Sequence, residues 1–326
     1  MSLFTGRLVE VGIGKETTRG TCATPTFWLK KTSFTHDDKV STVKTEGSYG
    51  SIAESAITGQ VVGRYAEGEL EGEVNINSFG LLLLALFGDV STTNNSPESG
   101  VHTHDFSLQN DNIHDSLTIT VKDPDDSFRF CMAMIKSLDL DIALGEYVKY
   151  RAGFLSKYHQ DIATPSTTYI VDHRFVHPDL EFKVASNLAG LSGASAISLK
   201  SLSLSIEKDV ELVNVLGSLE PENIVNKTIR ITGSLELNLE DKTWRDYMLN
   251  GVAKAMSIKL TSSKVIGSSS NPTLEMVFPK VWFEEWEPVR GLGDIATQTI
   301  NFEVFYDLAN LRLWSTMQLI NTTSSY

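Results

Sequence analysis

Three histidines form the densest group of potential metal ligands in the sequence. His102 and His104 are separated by one residue, so both rings would face the same side of a strand, and His114 follows ten residues later. Imidazole nitrogens bind several transition metals, which makes a metal site one interpretation. The cluster also follows a loop rich in Asn, Ser and Thr and fits the exposed edge of a sheet equally well. We expect no metal site, although the pattern alone leaves the question open.

Other short patterns suggest catalysis or nucleotide binding but lack an essential residue. Residues 12–18 (GIGKETT) are similar to a phosphate-binding loop, yet Val9 stands where the first glycine is required and Glu16 replaces the hydroxyl residue after the lysine. The chain contains no GxSxG and no HExxH motif. We therefore predict that the protein is not an enzyme and uses no cofactor.

Acidic and aromatic residues alternate near position 285. Glu284, Glu285 and Glu287 lie beside Trp282 and Trp286. Paired carboxylates lined by aromatic rings are typical of sites that bind or cleave sugars. The alternation also fits a half-buried strand with one acidic side, which we favour. A glycan-binding β-sandwich module stays an alternative.

The composition excludes some classes of partner. The chain has 326 residues, of which 41% are hydrophobic, and its 28 basic and 41 acidic residues give a net charge of −13. This length suits two domains with sizeable cores. Tight binding to the phosphate backbone of a nucleic acid requires clustered basic residues, so a chain with this acidic excess is a poor candidate for it. The longest apolar run, 81–87, is far shorter than a membrane-spanning helix, so we expect no membrane binding.

The two cysteines allow at most one disulfide and no cysteine-based zinc site. Cys22 and Cys131 are far apart in the sequence and show no CxxC spacing. We interpret them as two reduced, buried thiols, because free cysteine is among the most buried residue types.

Period-two alternation dominates the chain and predicts a mainly β fold. Residues 69–77 place Leu70, Val74 and Ile76 on one face and acidic or amide side chains on the other. Two short helices interrupt the strands. One is predicted at 79–87, between Ser78 as N-cap and Gly88 as the residue after the C-terminus, and the other at 242–249, between Asp241 and Gly251.

Similar blocks recur in the same order in both halves of the sequence, which indicates a tandem duplication of one β domain. The matched blocks are residues 29–34 with 199–204, 72–76 with 233–237, and 135–145 with 281–291. We predict two β-sandwich or barrel domains, each with one short α-helix. The first covers 1–168 and includes an N-terminal arm; the second covers 169–326 and includes a C-terminal arm.

Acidic residues repeat on one side of several predicted strands. Adjacent like charges repel each other, and selection for solubility alone usually intersperses lysines. A surface along which a polyanion slides without being captured requires this sign of charge. The residues assigned to it are Glu69, Glu71, Glu73, Asp139, Asp141, Glu236, Glu240, Glu285 and Glu287.

The chain resembles the tail tube proteins of long-tailed, siphovirus-like bacteriophages. The resemblance rests on the joint order of five segments: residues 12–21, 28–34, 78–83, 183–197 and 297–306. It implies that each of the two predicted tandem domains is a tail-tube-type β-sandwich with a flanking helix, and that the chain is a structural subunit whose rings stack into a hollow tube. The implied location is the virion tail, after synthesis in the cytoplasm of the host bacterium.

The resemblance also implies partners. Copies of the chain would contact each other within and between rings. The tape measure protein and double-stranded DNA would occupy the acidic lumen without specific binding, and the tail terminator and distal tail proteins would contact the tube ends. Single-domain members form hexamers, so a doubled chain predicts a homotrimer with pseudo-six-fold symmetry. Another ring component of the tail, such as a terminator or distal adaptor, stays an alternative.

A long connection, residues 47–66, is predicted to reach the next ring. Connections of this length inside a compact domain are usually functional or mobile. The residues assigned to inter-ring contacts are Gly47, Tyr49, Gly50, Ile52, Ile57, Val61 and Arg64.

Overall fold

The computed structural model describes residues 4–326 except 45–49, 51, 53–58, 96–97 and 99. Within this part of the chain the fold is mainly β, as predicted. The strands are β1 (Glu10–Lys15), β2 (Phe27–Leu29), β3 (Lys31–Lys44), β4 (Gly59–Glu73), β5 (Gly88–Asn94), β6 (His102–Leu108), β7 (Leu117–Lys122), β8 (Ser127–Ala143), β9 (Lys149–Ser156), β10 (Gln160–Asp161), β11 (Leu180–Ala185), β12 (Ser201–Val213), β13 (Asn223–Asn238), β14 (Lys254–Thr261), β15 (Thr273–Val289), β16 (Thr297–Val304) and β17 (Thr316–Asn321). The helices are α1 (Phe79–Phe87), α2 (Leu188–Leu191) and α3 (Thr243–Asn250).

Eight strands form one continuous antiparallel sheet. Their order is β3-β4-β9-β8-β12-β13-β16-β15. The first four strands come from the first half of the chain and the last four from the second half, and β8 and β12 join the halves through seven paired residues, 137–143 with 201–207. Among the described residues, β3 pairs only with β4, and the last part of β15 pairs only with β16. The sheet therefore ends in two free edges.

Long strands connect this sheet to the second layer of each half. The first part of β8 pairs with β7 and β10, and the first part of β15 pairs with β14 and β17. Each strand has a β-bulge soon after it begins to pair within the eight-stranded sheet, between Ile135 and Ser137 and between Phe283 and Glu285. Bulges bend a strand and increase its twist, so they let one strand serve both layers. The result is a β-sandwich whose sheet does not close into a barrel.

Helix α1 lies in the core, and its position agrees with the prediction at both ends. Every residue of α1 is buried, as its uninterrupted apolar sequence requires, and Gly88 follows it with a left-handed φ of 93°. The predicted Ser78 cap is wrong, because Ser78 has helical backbone angles and makes no side-chain cap bond. Asp172 instead accepts hydrogen bonds from the backbone N–H of Asn77 (3.2 Å) and from its side-chain amide (3.1 Å). A carboxylate is favourable at this end of the helix dipole.

Helix α3 begins one residue later than predicted. Asp241 Oδ1 accepts a hydrogen bond from the backbone N–H of Thr243 at 2.8 Å, and Gly251 ends the helix with a left-handed φ of 60°. Trp244 is the buried residue of α3, and its ring packs edge-on against Phe283 of β15, with 5.2 Å between the ring centroids. This helix therefore covers the second half as α1 covers the first.

In the described residues, from position 4 onward, both terminal segments pack against the rest of the chain. β1 lies between β2 and β7, and β17 lies between β15 of the second half and β6 of the first. Tyr326 packs beneath α1, where a Cβ on Gly80 would lie 2.3 Å from its ring, and its hydroxyl donates to the backbone oxygen of Asn77 at 2.6 Å. These segments help to hold the two halves together.

Two further sequence expectations are wrong. Cys22 and Cys131 form a disulfide, with 5.1 Å between their Cα atoms, so they are not reduced thiols. The pairing arises because β8 brings Cys131 beside the turn that follows β1. Residues 59–66 belong to strand β4 and not to a loop, because β4 pairs with β3 as far as Gly59. The connection after β3 is therefore a long hairpin in which residues 45–58 join the two strands.

Glu16 organises the backbone around the disulfide. Its buried carboxylate accepts hydrogen bonds from the backbone N–H groups of Gly20 and Met132 (both 2.7 Å) and from the hydroxyls of Ser116 (2.6 Å) and Thr118 (2.9 Å). Met132 has a left-handed φ of 54°, which is costly for a residue with a side chain. The bond to Glu16 offsets part of that cost.

Replacement of Glu16 by Gln should destabilise the fold. The amide has one acceptor oxygen fewer and places an N–H₂ group against donors, so we expect a loss of about 2–4 kcal/mol in the free energy of unfolding. Chemical denaturation of the two proteins measures it. Glu181→Gln on the exposed side of β11 is the matched control and should change stability by less than about 0.5 kcal/mol. Equal effects of the two substitutions would contradict the role given to Glu16.

Candidate functional site

One face of the eight-stranded sheet is polar along its whole width. The other face packs against the core, so residues alternate along each strand between buried apolar and accessible polar side chains. The polar face consists mainly of carboxylates and small hydroxyl or amide residues. Representative members are Thr35, Glu67, Ser203, Ser205, Thr232, Ser234, Thr299 and Asn301.

The structure collects eight of the nine predicted acidic residues on this polar face. Cross-strand pairing places them side by side with the residues above. They are Glu69, Glu71, Glu73, Asp139, Asp141, Glu236, Glu285 and Glu287. Glu240 lies two residues beyond the end of β13, outside the sheet. Alternation predicts the exposed side of β13, but the strand ends at Asn238, before the alternating pattern in the sequence ends.

Cations and hydroxyl groups moderate the repulsion on this face. Arg151 Nε contacts Glu71 at 2.8 Å, and Arg230 Nε contacts Glu303 at 2.6 Å. The hydrogen bond from Arg230 lowers the pKa of the Glu303 carboxyl. Ser203 donates to Asp141 at 2.9 Å across the β8–β12 joint. The polar face therefore carries more carboxylates than cations, and some of the carboxylates are paired with a cation or a hydroxyl group.

A buried lysine fixes the joint between the two halves. Lys208 of β12 is 3% exposed, and its Nζ donates to the backbone oxygens of Ala85 (2.7 Å) and Leu86 (3.1 Å) near the end of α1. An amine is well placed there, because the last carbonyls of a helix have no partner within it. Burial, with a smaller effect of the Arg19 charge, lowers the pKa of Lys208 to about 7.

Arg19 spans the same joint. Its Nε donates to Asn223 Oδ1 at 2.8 Å, and its two terminal nitrogens donate to the backbone oxygens of His114 and Ile224. One guanidinium thus contacts the loop before β7 and the start of β13. Together with Lys208, it forms a polar lock between the halves that sequence reasoning missed, since isolated Lys and Arg residues carry no pattern.

The two halves share a close contact between glycine and phenylalanine. A Cβ on Gly68 would lie 2.7 Å from the ring of Phe154, and a Cβ on Gly233 would lie 2.4 Å from the ring of Phe302. Strand pairing makes Gly68 and Gly233 equivalent, since each opposes its phenylalanine on the next strand. The sequence blocks had matched Gly72 with Gly233 instead, four residues away. The tandem duplication and its boundary at 168/169 stay a proposal, which this repeated contact supports.

The predicted inter-ring residues are not all in one place. Gly47, Tyr49 and Ile57 lie outside the described residues. Gly50 and Ile52 are exposed, and Val61 lies on the exposed part of β4. The backbone N–H of Arg64 donates to the oxygen of Leu219 at 2.7 Å, and its guanidinium lies over the ring of Tyr158 at 5.6 Å. Arg64 therefore already has partners within the chain.

The histidine cluster is used for internal hydrogen bonds. His104 contacts Thr92 Oγ1 (2.8 Å) and Asn321 Oδ1 (3.0 Å), and the ring nitrogens of His114 lie 3.2 Å and 2.8 Å from the backbone oxygens of Leu86 and Gln109. Across the described ranges, no three His, Cys, Asp or Glu side chains are grouped closely enough to hold a metal ion.

The aromatic and acidic residues near position 285 do not form one pocket. The Trp286 indole N–H donates to Gln298 Oε1 at 2.7 Å on the core side of β15, whereas Glu285 accepts from Asn301 at 2.7 Å on the polar face. In the part of the chain that the structure describes, none of the helices has the length and apolar character needed to cross a bilayer.

Comparison with known proteins agrees with this architecture. A family model described as phage tail tube protein matches residues 6–304. The match includes the whole eight-stranded sheet and both longer helices. A search of curated proteins finds no match.

Replacement of Lys208 by Met should change how stability depends on pH. The unfolded lysine keeps its proton up to about pH 10.4, whereas the folded one loses it above about 7, so the unfolded state binds more protons in this window. The wild type should therefore gain stability over K208M by up to about 1.4 kcal/mol per pH unit as pH rises through the window. Urea unfolding of both proteins at several pH values measures this. Lys264→Met, at an exposed lysine, should show no such trend. A difference between the wild type and K208M that is independent of pH would contradict the assignment.

Proposed function

The chain belongs to the phage tail tube protein family, and we propose that three copies close into a ring and that these rings stack into the tube of a phage tail. The protein is a structural component of the virion tail. The observation that carries the proposal is the eight-stranded sheet with one polar face and two free edges. Closed ring walls of this kind remove the exposed edges that otherwise lead to aggregation.

The dimensions support a ring of three chains. Three copies of the sheet give about 24 strands, which at about 4.8 Å spacing and about 40° tilt form a wall about 45–50 Å across. Side chains reduce the bore to roughly 35–40 Å. Duplex DNA is about 20 Å wide and passes through such a bore with room for water and ions.

We propose that the polar face lines the bore. Its excess of carboxylates repels the phosphate backbone weakly everywhere, and the cations that could hold DNA are engaged with carboxylates, as in Arg151–Glu71 and Arg230–Glu303. Double-stranded DNA and the tape measure protein are then occupants without specific binding, and genome passage into the host is the function of the lumen. Of the predicted lumen residues, only Glu240 is left out.

The two ends of the sheet differ and support stacking in one direction. Both long hairpins, β3–β4 and β12–β13, turn at one end, where Ile52 and Leu216 are fully exposed. The β8–β9 and β15–β16 connections lie at the opposite end and expose Leu144 and Leu292. We propose that hairpin tips of one ring contact the opposite end of the next. The tail terminator and distal tail proteins would contact the ring faces left free at the tube ends.

Electron microscopy of the purified protein tests the function directly. Tubes with an end-on view of three subunits per ring are the expected result. Discrete rings that never stack would favour a terminator or distal adaptor instead. Particles that stay single chains under all assembly conditions would overturn the proposal.

Charge reversal at Glu69, Glu71 and Glu73 should slow DNA passage without preventing ring assembly. The changes break the pair of Glu71 with the exposed Arg151 and the partly buried pair of Glu73 with Arg174, both of which lie within one chain. Exposed pairs contribute only about 0–1 kcal/mol. The introduced lysines attract phosphates, so DNA should leave virions carrying the variant more slowly than wild-type virions. Microscopy of the assembled tails and the rate of DNA ejection measure the two effects.

The matched control reverses three acidic residues away from the polar face: Asp89, Glu181 and Asp246. This variant should eject DNA at the wild-type rate. If the variant at Glu69, Glu71 and Glu73 forms no rings, those residues lie between subunits and the lumen assignment is wrong.

A further inference from the structure

We infer that the joint between copies repeats the β8–β12 joint, with β3 of one copy paired to residues 283–289 of β15 in the next. This inference rests on the proposed function, because it concerns the contact that closes the ring. It goes further by assigning the register of the contact and the side chains that form it. The partner is a second copy of this chain.

The equivalence of the strands follows from their pairing within the chain. His36 pairs with Gly68 as Leu204 pairs with Gly233, which matches β3 to β12. Phe154 pairs with Ile135 as Phe302 pairs with Phe283, and both pairs adjoin the bulge, which matches β8 to β15. With these two equivalences, each residue pair between β12 and β8 predicts a corresponding pair between β3 of one copy and β15 of the next.

The transferred register places Thr35 opposite Val289, Asp37 opposite Glu287 and Lys39 opposite Glu285. The corresponding internal pairs are Ser203 with Asp141, Ser205 with Asp139 and Glu207 with Ser137. Lys39 contacts Asp37 and Glu67 within its own chain, and both contacts raise its pKa. In the joint it would lie between the carboxylates of two copies. Opposite charges across neighbouring strands stabilise a pair, and Lys39 offsets the like charges of Asp37 and Glu287.

Apolar side chains that are buried at the internal joint have exposed counterparts at the free edge of β15. Met134 of β8 is fully buried in a cluster against which Val210 of β12 packs. Its equivalent Trp282 is 37% exposed, although tryptophan buries a large apolar area when it has a partner. In the transferred register Trp282 meets Thr42, the counterpart of Val210.

The end of helix α3 extends this apolar patch. Trp282 lies against Gly251, where a Cβ would be 2.9 Å from the indole. Leu249, two residues before that glycine, is 68% exposed, whereas Leu86 in the same position of α1 is fully buried. Val252 is also exposed. Leu249, Val252 and Trp282 form an apolar end-patch that the described part of the chain leaves uncovered.

The free edge of β3 carries the matching residue. Lys208, which reaches the end of α1 at the internal joint, corresponds to Val40 on β3. Val40 is exposed in the single chain, and it would reach the end of α3 in the next copy. The buried amine of Lys208 at the internal joint thus corresponds to an apolar contact of Val40 at the joint between copies. Apolar residues exposed on both edges, at positions that pair with each other, identify a second copy as the occupant.

Paired cysteines test the register. Thr35→Cys and Val289→Cys in one chain should form disulfides between copies, because the transferred register makes these residues direct neighbours. The two edges of one chain are about 34 Å apart, since seven strand spacings separate them, so a cross-link within one chain cannot form. On denaturing gels the ladder of cross-linked species should end at three chains. Peptide mass spectrometry identifies the new bond beside Cys22–Cys131.

The control pair is Thr35→Cys with Glu285→Cys, which is four residues out of register and corresponds to the alignment of the sequence blocks. It should give no cross-link. A cross-link there in place of the 35–289 pair would overturn the register. Rings that form with neither cross-link would overturn the joint while leaving the tube function intact. A wild-type protein that stays a single chain throughout would overturn both.

Charged substitutions test the apolar end-patch. Leu249→Glu and Val40→Glu should each reduce the number of rings at least about tenfold, because an unpaired charge buried in an interface is unfavourable. Val265→Glu, at an equally exposed valine in the β14–β15 connection, is the control and should assemble normally. Circular dichroism and the thermal midpoint confirm that the free subunits are folded, since both patch residues are exposed there. Normal assembly of L249E and V40E would overturn the role of the patch.

Discussion

The hydrogen-bonding requirement of strand edges is the constraint on which this structure depends. Each residue of a strand presents backbone N–H and C=O groups, and those on an open edge are free to pair with another chain. Within the molecule, β8 and β12 satisfy this requirement for each other and so join the two halves. Among the residues that the structure describes, nothing meets the same requirement on the outer side of β3 and of the end of β15. In the ring that we propose, these two edges pair with each other and the sheet continues from one copy to the next.

The composition of the sheet follows from this arrangement. Because one face packs on α1, α3 and the outer strands, that face needs apolar residues, and the alternate positions are left for the polar surface. Gly68 and Gly233 are required where the rings of Phe154 and Phe302 cross the neighbouring strand, since no side chain fits there. The polar face then has few apolar contacts to preserve, so its side chains are free to carry charge.

The sequence predicts the periodic parts of this molecule well and the non-periodic parts poorly. Alternation locates the strands and the acidic face, and the glycines after positions 87 and 250 locate the helix ends, because these signals are local. The cap from Asp172, the pairing of Cys22 with Cys131 and the lock at Lys208 depend on contacts between residues distant in sequence. The four-residue difference between the matching by sequence blocks and the matching by strand pairing has the same origin. Alternation repeats every two residues and cannot distinguish a register from one shifted by an even number, whereas the glycine–phenylalanine contact can.

In the proposed ring of three chains, the fusion of two domains in one chain would let the joints differ from each other. Six separate domains would have to form six intermolecular joints, and each association loses translational and rotational freedom. A doubled chain forms three of them internally, where the partner is always at a high effective concentration. The internal joint can therefore hold a buried amine, Lys208, whose desolvation would weaken an intermolecular contact. The joint that we propose between molecules, with Val40, Leu249 and Trp282, uses apolar surface that is exposed in the single chain and would be buried when the ring closes.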